Sequence, residues 1–216
     1  MTPILAATRY SQAVDAAHDV AAVDGVVVGP GGYAYATPPR LRDTKRWLSA
    51  KTRAWLAPSA LTPIPHSVAD RLSVSCLRLE APVDIPTAYA PDEVLAGFRY
   101  HLLAAHTALL TEVIDITVVD LAERTAEGTP LLGRQLVQAG LADAVLLVDE
   151  VRGLLDLGIA AELTSCAVVF SRVVRGGRAL LRLLGAASFL IDGPGGAVLT
   201  AEHVGTLYLT TGSSDD

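Results

Sequence analysis

The segment 92–127 carries polar side chains that could perform acid–base chemistry in an otherwise apolar setting. Arg99 and His106 are seven residues apart, so on a helix they lie on one face, two turns from each other. An imidazole can act as an acid or a base at neutral pH, and a guanidinium can stabilise negative charge on a carbonyl oxygen. Glu112 and Asp115 are three residues apart and also adjacent on a helix. For these two carboxylates, ion pairs with arginines of neighbouring helices are favoured over catalysis.

Other familiar reaction centres are absent from the sequence. It contains neither the His-x-x-x-His or Glu-x-x-His spacing of a metal site nor a Gly-x-Ser-x-Gly nucleophile elbow. The run GPGG at 193–196 is too short and wrongly placed for a dinucleotide-binding loop, and is predicted to be a turn that ends a helix. We therefore expect no metal site.

Composition points to a protein that buries surface against another chain. The 216 residues are 51% hydrophobic and 19% charged, with mean hydropathy +0.40, which is more apolar than an ordinary soluble monomer. Charged residues interrupt every long apolar stretch, so no membrane span is expected, and the N-terminus does not resemble a signal peptide. The net charge of −6 argues against nucleic acid. We expect a cytoplasmic homo-oligomer with Cys76 and Cys166 as buried thiols.

The first 90 residues are predicted to form a small β-rich domain. Prolines punctuate this segment from Pro30 to Pro86, and no amphipathic helix longer than about three turns is expected within it. Short β-prone runs lie at 25–29, 53–57 and 72–79, bounded by Gly and Pro.

After Pro91 the pattern becomes helical. A helix is expected over 92–127, followed by a second that Thr129 caps and that runs to about Gly158. A third is expected over 160–190 and a short one over 200–210. The predicted fold class is α+β: a β-rich N-terminal domain, residues 1–90, followed by an antiparallel bundle of long helices, residues 91–216.

Three segments resemble the acyl-CoA dehydrogenase family. In that family a long helix ends in an Arg-x-x-Phe-Gly turn, followed by Pro-Leu, a Gln-rich run and Leu-Ala-Asp. Residues 120–143 fill this pattern with Arg124, Gly128, Pro130, Leu131, Gln135, Gln138 and the run 141–143, while Glu127 replaces the Phe. APVDIPTAY at 81–89 resembles the family's exit from its β-domain, and LLRLLGAASFL at 180–190 resembles the end of a later helix. The resemblance implies the helical C-terminal domain of that family. It also implies a truncated member, because no counterpart of the family's amino-terminal helical domain is found.

The resemblance places a catalytic carboxylate at one of two positions, and neither holds an acid. The usual Ile-Tyr-Glu-Gly-Thr segment falls on 207–211, where Tyr208 and Thr211 match and Leu209 replaces the Glu. The alternative position, next to Arg99, holds Phe98. We therefore expect that this chain alone is not a dehydrogenase.

The resemblance also implies candidate flavin contacts. Arg124 and Gln135 match residues that contact FAD across a subunit interface, where a guanidinium suits phosphate oxygens. The family's glycine loop is altered at 185–188, GAAS, which adds side chains where the backbone approaches the phosphate. Absence of FAD is favoured and its binding stays open. For Arg124, a charge that satisfies helix carbonyls is an equal alternative.

A reaction pocket is expected where the first long helix meets the segment 200–210, with Arg99, His106 and Tyr208 as catalytic residues. The function expected is a non-redox transformation of a hydrophobic acyl or polyketide-like intermediate in bacterial secondary metabolism: cyclisation, isomerisation, elimination or addition. Two alternatives stay open. The chain could be an FAD-dependent dehydrogenase subunit that works with a second chain, or a non-catalytic partner in a hetero-oligomer with a full-length homologue.

Overall fold

The computed structural model describes residues 3–56, 61–79, 88–190 and 193–210. Seven α-helices lie in these ranges: α1 Pro3–Ala21, α2 Pro38–Asp43, α3 Ser67–Arg71, α4 Asp92–Glu123, α5 Gln135–Asp156, α6 Leu163–Leu184 and α7 Gly195–Leu209. The strands are β1 Gly25–Val28, β2 Tyr33–Ala36, β3 Arg46–Ser49, β4 Ala54–Leu56, β5 Leu61–Ile64, β6 Ser75–Leu79, β7 Ala88–Tyr89, β8 Thr125–Ala126 and β9 Thr129–Pro130. Three 3₁₀ helices complete the described part: η1 Leu131–Gly133, η2 Ile159–Ala161 and η3 Gly185–Phe189.

Helix α1 corrects the prediction for the first 90 residues. It is 19 residues long, about five turns, and therefore exceeds the three turns expected. After Pro3 no proline interrupts the chain before Pro30, so nothing breaks the helix there. Its buried residues Tyr10, Val14, Ala17 and Ala21 follow helical spacing, and α1 packs along α4.

The β-rich segment forms two small sheets. One has the order β1-β3-β4-β7, in which β1 and β3 are parallel, and the other is antiparallel with the order β2-β6-β5. Strands β1, β4 and β6 occupy the three runs that the sequence predicted. In the second sheet Tyr35 lies opposite Cys76, which lies opposite Ile64, so these three residues form one row across the strands.

The loop after α4 is a hairpin and not the start of the next helix. Strands β8 and β9 pair Ala126 with Thr129, and both Glu127 and Gly128 between them have positive φ, +55° and +78°. Two such residues in succession form the tight turn of a two-residue hairpin. The prediction that Thr129 caps a helix is therefore wrong, and α5 begins at Gln135.

The last helical segment also begins earlier than predicted. Helix α6 ends at Leu184, where Gly185 adopts φ +62°, and η3 follows. Pro194 precedes α7, which starts at Gly195 and ends at Leu209. The GPGG run thus starts the last helix, whereas the sequence predicted that it ends the preceding one.

One hydrophobic core joins both predicted domains. It includes residues of α1, β1, β2 and β6 together with α4, α5, α6 and α7. Helix α4 is long and apolar enough to cross a membrane by length and composition, but 56% of its most apolar window is buried inside the protein. It is therefore the central helix of the bundle. The α+β class is confirmed, whereas the boundary at residue 90 stays a prediction, and most of the segment 81–89 lies outside the described residues.

Candidate functional site

Helix α7 contacts the β-rich part through Tyr208. The Tyr208 hydroxyl accepts a hydrogen bond from the Tyr35 N–H and donates one to the Val27 carbonyl, each at 2.9 Å. His18 of α1 binds the remaining backbone groups of the same two residues. Its Nδ1 accepts from the Val27 N–H at 3.1 Å, and its Nε2 donates to the Tyr35 carbonyl at 2.8 Å. Two side chains thus satisfy four buried backbone groups where β1 and β2 are not paired with each other.

Burial keeps the side chains of both His18 and Tyr208 uncharged. Desolvation lowers the pKa of His18 to about 3, so the ring is neutral, as its one donated and one accepted hydrogen bond require. Desolvation also raises the pKa of Tyr208 above its ordinary value, so the phenol keeps its proton. The hydrogen bonds of His18 and Tyr208 hold α1 and α7 against strands β1 and β2, and every polar atom of the two rings takes part in one.

A cleft of about 570 Å³ lies between α7 and the sheet β2-β6-β5. Its size is within the range of small-molecule sites. The walls combine aromatic and aliphatic groups with a few polar ones: Pro30, Gly31, Tyr33, Tyr35, Ile64, His66, Cys76, His203, Thr206, Leu207 and Thr210. Burial raises the pKa of both Tyr35 and Cys76, so these two groups are neutral at physiological pH. Among the described residues that line the cleft there is no carboxylate, lysine or arginine.

Two histidines from different elements meet at this cleft. His66 precedes α3 and His203 lies on α7; Nε2 of His66 is 3.1 Å from Nδ1 of His203. The rings are roughly perpendicular, with centroids 5.0 Å apart. The His66 ring also contacts Tyr35 edge-on, at 6.1 Å. These imidazoles are the polar groups of the cleft best suited to chemistry.

The three predicted catalytic residues do not line one cavity. Arg99 donates to the carbonyls of Ala160 and Ala161 in η2, at 3.0 and 3.1 Å, and thereby satisfies backbone at the end of α5. Neither Arg99 nor Tyr208 borders the 570 Å³ cleft. Each of the three side chains hydrogen-bonds backbone of another element, and the structure does not bring them together at this cleft, so their catalytic role stays a prediction.

His106 is buried between helices. Its Nδ1 lies 2.6 Å from the carbonyl of Leu102, and its Nε2 lies 2.7 Å from the carbonyl of Ala201 on α7 and 3.3 Å from the Tyr10 hydroxyl. Burial lowers the pKa of His106, while the two carbonyls oppose that shift because they favour the charged ring. The cavity beside it measures only about 30 Å³, which is space for about one water molecule. A structural role fits this placement.

Both positions at which the resemblance implies a catalytic base are part of the core. Phe98 is 2% exposed and packs against Tyr208 with ring centroids 5.0 Å apart, and Leu209 is fully buried. Neither side chain could be replaced by an ionised carboxylate without a large desolvation cost. The packing around positions 98 and 209 is thus suited to apolar side chains.

The two predicted flavin contacts lie at the two ends of the connection between α4 and α5. The Arg124 guanidinium donates through Nη1 to the Asp120 carboxylate and to the Leu184 carbonyl at the end of α6, both at 2.9 Å. An adjacent carboxylate disfavours a bound phosphate, and this contact matches the alternative in which Arg124 satisfies helix carbonyls. The Gln135 side chain is exposed at the start of α5. The Asp120 and Leu184 partners of Arg124 do not favour phosphate binding within one chain, FAD binding across a subunit interface stays a prediction, and no chemical step is assigned to a flavin.

Sequence reasoning missed His18, His66 and His203 as partners in these contacts. His66 and His203 are 137 residues apart, and no local pattern links them. A weak signal existed for His66, whose Nδ1 accepts from the Ala69 N–H in the manner of an N-cap before the short helix α3. Within residues 3–56, 61–79, 88–190 and 193–210, no three or more metal-binding side chains lie together.

Comparison with known proteins identifies the fold. No family model and no curated protein sequence matches the chain. Among solved structures, the "Tcur3481-Tcur3483 steroid ACAD G363A variant" aligns with TM-score 0.62 and 22% identity over 88% of this chain and 59% of that one. A glutaryl-CoA dehydrogenase from Mycobacterium smegmatis in complex with FADH2 aligns with TM-score 0.60 and 17% identity, over 87% and 57%. A structure described as an FAD-dependent dehydrogenase aligns with TM-score 0.66 and 11% identity, over 94% and 77%.

The chain thus spans less than two thirds of the length of the first two structures. At these identities the likeness concerns the fold and leaves activity open. The arrangement of α4, α5, α6 and α7 beside two small sheets is that of the acyl-CoA dehydrogenase fold, and this chain has that fold.

Proposed function

We propose that this protein binds a hydrophobic acyl or polyketide-like small molecule in the cleft between α7 and the sheet β2-β6-β5 and transforms it without redox chemistry. The cleft itself carries the proposal: about 570 Å³, with Tyr33, Ile64 and Leu207 for an apolar chain and two imidazoles for a polar group. Mostly apolar clefts with a few placed polar groups are the usual form of small-molecule sites.

The positions of Phe98 and Leu209 support a non-redox step. Removal of an α-proton needs a base within hydrogen-bond reach, and both positions that could supply the family's carboxylate hold buried apolar side chains. A shaped apolar cleft with hydrogen-bond donors can still orient a flexible chain and polarise its carbonyl. Such a site suits cyclisation, isomerisation, elimination or addition.

The setting proposed for this activity is cytoplasmic bacterial secondary metabolism in a homo-oligomer. Apolar side chains exposed on the helices support the oligomer, among them Leu136 and Leu146 of α5.

An assay with a panel of acyl-CoA esters tests the absence of redox chemistry. Purified protein is incubated with each ester and an artificial electron acceptor, and its absorbance spectrum is recorded before and after denaturation to detect released flavin. We expect no reduction of the acceptor and no stoichiometric flavin. Acceptor reduction that depends on an acyl-CoA would contradict the proposal.

A second candidate is a dehydrogenase subunit that works with another chain, and a non-catalytic partner role is related to it. The observation that favours this candidate is the likeness of the fold to a structure whose printed name pairs two designations, Tcur3481 and Tcur3483. Affinity purification of the protein from its native host distinguishes the candidates. A stoichiometric second acyl-CoA dehydrogenase-like chain with bound flavin would support this candidate, whereas a flavin-free homo-oligomer would support the first.

A further inference from the structure

The ring orientation of His66 determines which nitrogen carries its proton. Its Nδ1 lies 3.2 Å from the backbone N–H of Ala69, which can only donate, so Nδ1 is an acceptor without a proton. The neutral His66 ring therefore carries its proton on Nε2. The backbone N–H of His66 donates in turn to the Asp70 carboxylate at 3.2 Å, which holds the start of α3 in place.

His66 then determines the tautomer of His203. The Nε2–H of His66 donates across 3.1 Å to Nδ1 of His203, so the neutral His203 ring carries its proton on Nε2. Among the described residues, Nε2 of His203 has no hydrogen-bond partner. The reverse arrangement, with a proton on Nδ1 of His203, would need Nε2 of His66 as the acceptor. The proton of His66 would then be on Nδ1, where it would face the Ala69 N–H, so this arrangement is disfavoured.

The surroundings of the His203 Nε2–H indicate which ligand group it would bind. His203 lines the cleft beside Thr206, Thr210 and apolar groups, and none of the described residues that line it carries a carboxylate, ammonium or guanidinium group. A neutral N–H in such a setting suits an uncharged oxygen acceptor, because no described lining residue supplies a positive charge to an anion and the neighbouring guanidinium, that of Arg78, stacks on the ring of Tyr33. An acyl ligand presents such an acceptor as its carbonyl oxygen.

We propose that His203 Nε2–H binds the carbonyl oxygen of the acyl ligand and that His66 is the positioning residue that keeps this nitrogen protonated. This rests on the proposed function, since it assumes an acyl ligand in the cleft. It deepens that function by naming the ligand group that is recognised and by making His203 a hydrogen-bond donor that polarises a carbonyl, not a base.

Two substitutions at His66 separate positioning from helix capping. His66→Asn keeps an acceptor for the Ala69 N–H but cannot reach His203, while His66→Gln keeps a donor near the Nε2 position but loses the cap geometry. Under the proposal, His66→Gln retains carbonyl recognition at lower stability, and His66→Asn weakens recognition at near-normal stability, because Nδ1 of His203 loses the donor that fixes its ring. The opposite pattern would show that His66 only caps α3 and would overturn the positioning role.

The experiment measures tautomers and carbonyl recognition on the full chain. Nitrogen-15 NMR of the imidazoles should show Nε2 protonated and Nδ1 bare in both rings. Calorimetry then compares octanoyl-N-acetylcysteamine with the thioether that lacks its carbonyl. We expect the thioester to bind about 3- to 10-fold more tightly, as one neutral hydrogen bond contributes. His203→Phe should abolish that preference, and the exposed His101→Phe should preserve it.

The outcomes are distinguishable. Protonated Nδ1 on either ring, or equal binding of the two probes by the wild type, overturns the inference but leaves an acyl-binding cleft intact. If neither probe binds, the proposed function fails and the inference fails with it.

Discussion

His18 and Tyr208 complete the hydrogen bonding of the same two backbone residues, with their rings 6.1 Å apart and nearly perpendicular. Each side chain donates to one strand and accepts from the other, at Val27 and at Tyr35. The first and the last described helices, α1 and α7, are thereby attached to the same two strands, β1 and β2. Tyr208, a catalytic candidate by sequence, is structural in this arrangement.

Removal of the Tyr208 hydroxyl should destabilise the protein. Tyr208→Phe leaves the Val27 carbonyl and the Tyr35 N–H buried without partners, and each such group costs about 1–3 kcal/mol. We expect the free energy of unfolding, measured by urea denaturation, to fall by about 2–6 kcal/mol. Tyr89→Phe, at a residue that is 73% exposed, is the control and should change little. A stable Tyr208→Phe protein that has lost turnover would instead restore the catalytic role.

Acidification should destabilise the fold through His18. Its pKa is about 3 in the folded protein and about 6.5 in an unfolded chain, so only the unfolded state takes up this proton between those values. The stability contribution is complete above about pH 6.5 and falls by up to about 1.4 kcal/mol per pH unit below it. His106, whose pKa is also lowered, acts in the same direction.

Two measurements check this pH dependence. Unfolding free energies between pH 7.5 and 5 should decrease, and the NMR signal of the His18 ring should not titrate over that range. His101→Gln, at an exposed position, should leave the contribution of His18 unchanged. A His18 ring that titrates near neutral pH in the folded protein would refute the prediction.

Two glycines provide a matched test of helix packing. A Cβ at Gly205 of α7 would lie 2.1 Å from Phe170 and 2.8 Å from Nε2 of His106, whereas one at Gly153 of α5 would meet no atom within 4 Å. Gly205→Ala should therefore destabilise by about 1–3 kcal/mol or more through overpacking. Gly153→Ala should stabilise by about 0.5–1 kcal/mol, because glycine weakens a helix. Thermal unfolding of both variants checks the sign, and equal effects would contradict the α4–α6–α7 packing.

The exposed face of α5 should take part in self-association. Leu136 and Leu146 are 86% and 67% exposed in the single chain, an unusual setting for large apolar side chains on one helix. Leu146→Glu should convert the oligomer to a smaller species in light scattering, without loss of helix content. Lys51→Glu, in the exposed turn between β3 and β4, is the control. A wild-type protein that is monomeric at micromolar concentration would contradict the oligomer.

Local patterns accounted for most of the helices and for three strands. They also placed a pocket at the segment 200–210, which is one wall of the cleft, but not the sheet that forms the opposite wall. The hairpin turn Glu127–Gly128 and helix α1 could have been found, since a glycine turn and proline-free apolar spacing are both visible in the sequence. The meeting of His66 and His203 could not, because it depends on how α7 packs against a sheet formed more than a hundred residues earlier. Arg99 was placed correctly on α4, but its backbone partners in η2 depend on the path of the chain after α5.

Photo-crosslinking tests most directly the claim that the cleft between α7 and the sheet β2-β6-β5 binds an acyl ligand. The protein is irradiated with an octanoyl thioester that carries a diazirine on its chain, with and without excess unlabelled thioester, and the labelled peptides are mapped by mass spectrometry. We predict competable labels within residues 30–35 and 203–210, which line the cleft. Labels confined to α5 and α6, or labels that excess thioester does not reduce, would contradict the account.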